Sequence, residues 1–232
     1  APIDVPSWTQ LDMDAVCARI RAVAFDLDNT LARSRKPMLP WMAERFSTLT
    51  TLLPVAVITG GRYGLVISQI LDVLDAHADR SHLHLMPTSG TRYYRWDGDD
   101  WRCVYAHDLG ADLRDAAVAS LTDHAKELGL WLEDTWGPRI EDRGSQITFS
   151  ALGQQAPVEI RERWDPDGTK RDALVRAVGA DLPELEVRAG GTTSVDISLR
   201  GYDKAFAIRE LAASLGLPVD RVMFGGDRMA PG

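Results

Sequence analysis

The stretch Ala22-Val23-Ala24-Phe25-Asp26-Leu27-Asp28-Asn29-Thr30-Leu31 runs apolar as far as two carboxylates one residue apart, then turns small and polar. A continuous apolar run closed by a polar turn reads as a buried central strand. Side chains alternate across a strand, so Asp26 and Asp28 share a side only where the strand gives out. At the carboxyl edge of a parallel sheet, that place is a ligand crevice. Two carboxylates there repel each other unless a cation or a shared proton offsets the cost. The pair therefore implies a metal site, a nucleophile with an acid–base partner, or both. The plainer reading is a turn followed by a helix N-cap, because Asp, Asn and Thr favour both.

Outward from this stretch, strands and helices alternate. Apolar residues at Leu11, Met13, Val16, Cys17 and Ile20 give a helical period within Val5–Arg21. A polar loop, Arg33–Pro40, precedes a helix over Trp41–Leu53, which Pro54 ends. Val55–Ile58 reads as a second buried strand running into Thr59-Gly60-Gly61-Arg62, with a helix over Leu65–Ala76 and a short strand at His84–Met86. This order is the signature of a parallel α/β sheet. From about Tyr93 the texture changes. Arg92–Ala106 reads as a hairpin turning at Asp97-Gly98-Asp99-Asp100, followed by a helix over Leu109–Gly129. Short strands at Ile140–Arg143, Gln146–Ser150, Glu186–Arg188 and Thr193–Ile197 surround a helix over Asp167–Val178, which suits a small antiparallel α+β layer. Gly201-Tyr202-Asp203-Lys204 then opens a helix over Ala205–Leu215, and Val222–Asp227 is again a buried strand ending in a carboxylate.

With 26 Lys and Arg against 34 Asp and Glu, the 232-residue chain has a net charge of −8 and lacks the basic footprint of a nucleic-acid binder. Two cysteines, Cys17 and Cys103, make neither a disulfide framework nor a zinc spacing, and the expected compartment is the reducing cytoplasm. No apolar run approaches a membrane span and no signal pattern opens the sequence, so no membrane partner is expected. The opening at Ala1 without a methionine leads one to expect a start further upstream.

Three strands end in polar groups: Asp26 and Asp28, Thr59, and Asp227. If they are neighbours in a parallel sheet, these groups meet at one edge, with Lys204 at a nearby helix start. The combination suits phosphoryl transfer to a carboxylate. Asp26 would attack phosphorus, Asp28 would move a proton on and off the leaving oxygen, and Mg²⁺ would neutralise charge. Thr59, the backbone from Gly60 and Lys204 would hold the phosphoryl oxygens. A lysine in a first helical turn opposes the helix dipole, so an anion nearby would account for it. His82 and His84 alternate with leucines, which is more simply a strand face than a metal pair.

Asp26-Leu27-Asp28-Asn29-Thr30, Ile58-Thr59-Gly60-Gly61, Lys204 and Gly226-Asp227 resemble the four motifs of the haloacid dehalogenase (HAD) superfamily, in order and spacing. The resemblance covers nearly the whole chain. It implies a three-layer Rossmann-like parallel-sheet core, residues 1–107 and 200–232, with an inserted α+β cap at 108–199. It also implies Mg²⁺ held by Asp26, Asp28 and Asp227, with Asp28 lending its backbone carbonyl. Within the insert, Ile140-Glu141-Asp142-Arg143, Ser150-Ala151-Leu152-Gly153, Gly190-Gly191 and Ser194-Val195-Asp196 look like eukaryotic-type phosphomannomutases. By that similarity Arg143 and Arg161 would grip the distal phosphate of a sugar phosphate, Ser194 would assist, and Asp196 would contact hydroxyls. That cap type carries a further arginine just after the Leu152-Gly153 position, where this chain has Gln154-Gln155. The loss of that cation points to a phosphatase acting on a small phosphorylated metabolite, with a mutase as the alternative and a non-catalytic sugar-phosphate binder third. Mutase-like relatives often pair through the cap, so a homodimer of that kind is also expected. By the same resemblance a second acid of the last motif would lie past Gly232, leaving the metal site incomplete and the sheet short of an edge.

Overall fold

The computed structural model describes residues 8–227 and divides them into two compact units. The first residues of the helix expected over Val5–Arg21, and the second acid expected past Gly232, lie outside the described residues. One unit joins the described residues up to Val104 to those from Lys204 onward, and the other is Tyr105–Asp203. The insert thus begins at Tyr105 rather than residue 108 and ends at Asp203 rather than residue 199.

In chain order the first stretch holds α1 (Met13–Arg19), β1 (Ala22–Phe25), α2 (Pro40–Thr50), β2 (Val55–Ile58), α3 (Tyr63–Gln69), β3 (Leu83–Met86), β4 (Arg92–Trp96) and β5 (Trp101–Ala106). The insert follows with α4 (Ala111–Glu127), β6 (Ile140–Asp142), β7 (Gln146–Ser150), α5 (Val158–Trp164), α6 (Thr169–Asp181), β8 (Leu185–Ala189) and β9 (Ser194–Leu199). The chain then returns through α7 (Lys204–Ser214) and β10 (Val222–Gly225). Asp12 caps α1, its carboxylate accepting the Asp14 and Ala15 N–H groups, and proline opens α2, where its missing N–H costs nothing.

The central sheet has the order β10-β1-β2-β3-β4-β5. β10, β1, β2 and β3 are parallel, and β4 joins β3 antiparallel, so the hairpin extends the sheet as an antiparallel edge. Ala22, Val23 and Ala24 of β1 and all of β2 are buried, which is why both read as unbroken apolar runs. The insert forms a separate antiparallel sheet, β6-β7-β9-β8. Ile147, Phe149, Val195, Ile197 and Leu185 share a core with Leu121 of α4 and with Leu174 and Val178 of α6. Strand alternation sends the intervening polar residues to the other face. Among the described residues no helix is long and apolar enough to cross a membrane.

Two helices depart from the expectation. The helix expected over Leu65–Ala76 stops at Gln69 and is followed by a single 3₁₀ turn, Leu71–Val73. Buried hydroxyls of α2 capture the backbone beyond it: Asp75 N–H donates to Ser47 Oγ at 3.1 Å and Asp79 N–H to Thr50 Oγ1 at 2.8 Å. Tertiary hydrogen bonds therefore outcompete continuation of the helix. Val158–Trp164, a stretch with no helical period in the sequence, forms α5, entered through Pro157.

Candidate active site

β10, β1 and β2 lie side by side and parallel, so the residues that follow them leave from one sheet edge. Asp26 follows β1, Thr59 follows β2, and Gly226-Asp227 follow β10. Asp26 N–H donates to the Gly225 carbonyl at 2.9 Å, and the Leu27 N–H donates to Asp26 Oδ1 at 2.8 Å. Lys204, the first residue of α7, sets its Nζ 2.6 Å from Asp26 Oδ2; the carboxylate is 13% exposed and the lysine 38%. Asp26 is thus the anion that accounts for a lysine at a helix N-terminus. The close approach of α7 depends on Gly90, at φ +85°, where a Cβ would sit 2.6 Å from that of Ala207.

Thr59 is buried and its hydroxyl accepts the Gly61 N–H at 3.0 Å. The Thr59 carbonyl accepts from Ser89 N–H and the Gly61 carbonyl from Thr88 N–H, both at 2.8 Å, which fixes the turn that contains Gly60. After Asp28 the chain makes a tight turn with Asn29 at φ +62°, and the Leu27 carbonyl accepts from Thr30, Leu31 and Ala32. No helix starts there, which disposes of the helix-cap reading, since α2 begins only at Pro40. The Asp28 carboxylate is held instead by the Arg35 N–H and the Gln69 amide, each 3.1 Å from Oδ1, and the Ser34 hydroxyl is 3.5 Å from Oδ2. Asp227 is exposed, and a Cβ on its neighbour Gly226 would lie 3.5 Å from that of Asp26.

In the second unit the polar face of the sheet carries one row across all four strands: Glu141, Thr148, Asp196 and Arg188. Thr148 Oγ1 donates to Asp196 Oδ1 at 2.7 Å, and Arg188 donates to the Tyr202 carbonyl at 2.9 Å. Ser194 and Asp196 crowd Gly190, where a Cβ would be 3.0 Å from Ser194 Oγ and 2.6 Å from Asp196 Oδ2, so only glycine fits. Arg143, 7% exposed, bonds Glu141 through Nε at 2.8 Å, so a carboxylate already balances its charge. Arg161 lies on α5, 5% exposed. Gln154 ties the loop after β7 back to the sheet, its amide reaching the Arg139 and Thr148 carbonyls.

No protein-family model matches the chain. It is 24% identical over 214 residues to a phosphomannomutase of Spinacia oleracea, spanning 90% of this chain and 82% of that protein. Among solved structures it is similar to the IMP-nucleotidase of Plasmodium falciparum, with a TM-score of 0.66 and 12% identity over 90% of this chain and 60% of that one. It is also similar to the C-terminal domain of the C. albicans trehalose-6-phosphate phosphatase, with a TM-score of 0.60 and 12% identity over 88% of this chain and 67% of that one. In sequence the chain is thus similar to phosphomannomutases, and in fold to these phosphatases, in keeping with the HAD resemblance that its motifs carry.

The core unit brings Asp26 and Lys204 into contact and sets Thr59 and Asp227 just past the ends of the two strands that flank β1. Among the described residues no three His, Cys, Asp or Glu side chains cluster as a metal centre. The ligand set expected from the sequence is of another kind: the Asp26 and Asp227 carboxylates with the Asp28 peptide carbonyl. Hard oxygen donors of this kind fit Mg²⁺. His84 is no ligand: it is buried on β3, with Nδ1 2.6 Å from Tyr93 Oη, and burial pushes its pKa down to about 3. The hold on Asp28 by Gln69 and the 33–38 loop was invisible in the sequence, because the helical period ran on past Gln69 to Ala76.

Proposed function

We propose that this protein is a HAD-type, Mg²⁺-dependent phosphatase acting on a sugar phosphate or similar small metabolite through a phosphoaspartate at Asp26. The observation that carries the reading is the 2.6 Å contact of Lys204 Nζ with Asp26 Oδ2, at the sheet edge that Thr59 shares. In this reading the Asp26 carboxylate attacks phosphorus, an O–P bond forms, and the bond from phosphorus to the sugar oxygen breaks. Asp28 gives its proton to that departing oxygen. Water then attacks the acyl phosphate, Asp28 takes up the proton, and phosphate leaves with Asp26 restored. The Thr59 hydroxyl already accepts from Gly61, so its own proton is left for a phosphoryl oxygen, and Lys204 and the Gly60 backbone would add further donors. Asp26, Asp227 and the Asp28 carbonyl would hold the Mg²⁺, which when bound lowers the repulsion between nucleophile and phosphate.

Arg143, Arg161 and Ser194 are assigned to a distal anionic group and Asp196 to hydroxyls, in keeping with arginine's fit to phosphate. A homodimer through the second unit and a cytoplasmic location belong to the same proposal. Similarity to a phosphomannomutase supports a second reading, in which Asp26 returns its phosphoryl group to another hydroxyl of the sugar instead of to water.

The test is Asp26→Asn, assayed for phosphate release from a sugar-phosphate panel with Mg²⁺ and for acid-stable phosphoryl label on the protein. Release is expected to fall at least about 10³-fold and the label to vanish, in line with removal of a covalent nucleophile. Undiminished release would overturn the assignment.

A further inference from the structure

Gln69 closes α3 and is 1% exposed, its side chain reaching the Asp28 loop. Its amide nitrogen makes two hydrogen bonds, to Asp28 Oδ1 at 3.1 Å and to the Lys36 carbonyl at 3.0 Å. Its own backbone carbonyl accepts the Met38 N–H at 3.0 Å. The loop it grips supplies the other holds on Asp28, the Arg35 N–H and the Ser34 hydroxyl. Arg35 takes up φ +60° there, a conformation that costs a non-glycine residue and needs surrounding support.

The orientation of the amide is fixed by chemistry. A carboxylate and a carbonyl only accept, so the NH₂ group must face both, and Oε1 is turned away. Oε1 is buried and has no hydrogen-bond partner among the described residues. An unmet buried oxygen carries a desolvation cost that methionine or leucine of similar volume would avoid. A residue that works against stability at a site, while holding a carboxylate there, is explained by the site rather than by the core.

We propose that Gln69 is a positioning residue for the proton transfer. One amide N–H aims the Asp28 carboxylate at the leaving oxygen. The other N–H, with the backbone carbonyl, pins the loop that completes the hold. The proposal rests on Asp28 being the proton carrier, and its test separates the two.

Gln69→Met is compared with the parent on a sugar phosphate, whose alkoxide needs a proton to leave, and on p-nitrophenyl phosphate, whose phenoxide does not. The expected result is a kcat on the sugar phosphate about 10- to 100-fold lower, the size of effect a small misplacement produces, with KM nearly unchanged and a much smaller fall on the aryl ester. Asp28→Asn is run beside it and should discriminate between the two substrates in the same direction. Adding Gln69→Met to Asp28→Asn should cost little more. Equal losses on both substrates, or none, overturn the positioning role. If Asp28→Asn itself fails to discriminate, the proton-carrier reading falls, and this proposal with it. Gln69→Glu, equal in length but without the donor, repeats the measurement if Gln69→Met folds poorly. Failure of both variants to fold would make Gln69 purely structural and also overturn the proposal.

Discussion

Lys204 sits where a helix disfavours a cation, in the first turn of α7, and its ammonium is spent on a single oxygen, Asp26 Oδ2. A point charge on a flexible stem suits that contact, and the same group can turn to a phosphoryl oxygen when one arrives. Removing a preorganised donor of this kind slows an enzyme by about 10²- to 10³-fold. Lys204→Met is therefore expected to lower kcat by about that factor while the far-ultraviolet circular dichroism stays that of the parent. Lys204→Arg should recover only part of the loss, because a planar fork reaching further does not reproduce a point charge at one oxygen. A kcat for Lys204→Met within a few-fold of the parent would detach Lys204 from the chemistry.

At the scale of elements, β1 and β2 were readable as buried apolar runs ending in a polar residue, whereas β10, expected as buried, is an apolar run that is only half-buried. The order of motifs along the chain put their ends at one edge. The end of α3 was not readable, since Ser47 and Thr50, which draw Asp75 and Asp79 away from a helical path, are distant in sequence. α5 was unreadable for a different reason: its apolar residues, Val158, Ile160 and Trp164, are spaced by two and four and make no helical stripe. In the second unit, α4 and α6 are joined by a contact no periodicity announces. His124 of α4 sets Nε2 2.9 Å from Asp181 at the end of α6 and Nδ1 3.0 Å from Glu127, and Ser120 Oγ donates to the same Asp181. The hydrogen bond to Asp181 comes first among the causes that raise the His124 pKa above its ordinary value. Because the folded state binds this proton more tightly, the contribution to stability is complete below the unfolded value near pH 6.5 and is lost as pH rises through the raised folded value. His124→Gln should thus lower the melting temperature most near about pH 6, with the difference from the parent shrinking towards about pH 9. A difference that held constant over that range would show that the imidazolium has no part in joining the helices.

For the molecule as a whole, the meeting of Asp26 with Lys204 and the shared sheet edge of Asp26, Thr59 and Asp227 could be read because four motifs in order constrain one another. The substrate end could not, because single residues of the second unit, such as Arg143 bound to Glu141, gain meaning only from their neighbours. The proposed preference for phosphatase over mutase leans on Gln154. A mutase must hold either phosphate of a bisphosphate away from the reacting centre, and that hold needs cations. Here a neutral amide stands at the position in question, engaged with the Arg139 and Thr148 carbonyls and so committed to holding its loop to the sheet. In the proposed reading Arg143 and Arg161 would serve a monophosphate that leaves as a free sugar. With Mg²⁺ and a hexose monophosphate, the protein is therefore expected to release inorganic phosphate and to stop on addition of EDTA. Supplying a hexose 1,6-bisphosphate should add a substrate without starting exchange between the 1- and 6-phosphates. Phosphorus NMR follows all three species at once. Exchange faster than phosphate release would make the mutase reading correct and show that two arginines hold the distal phosphate without a third.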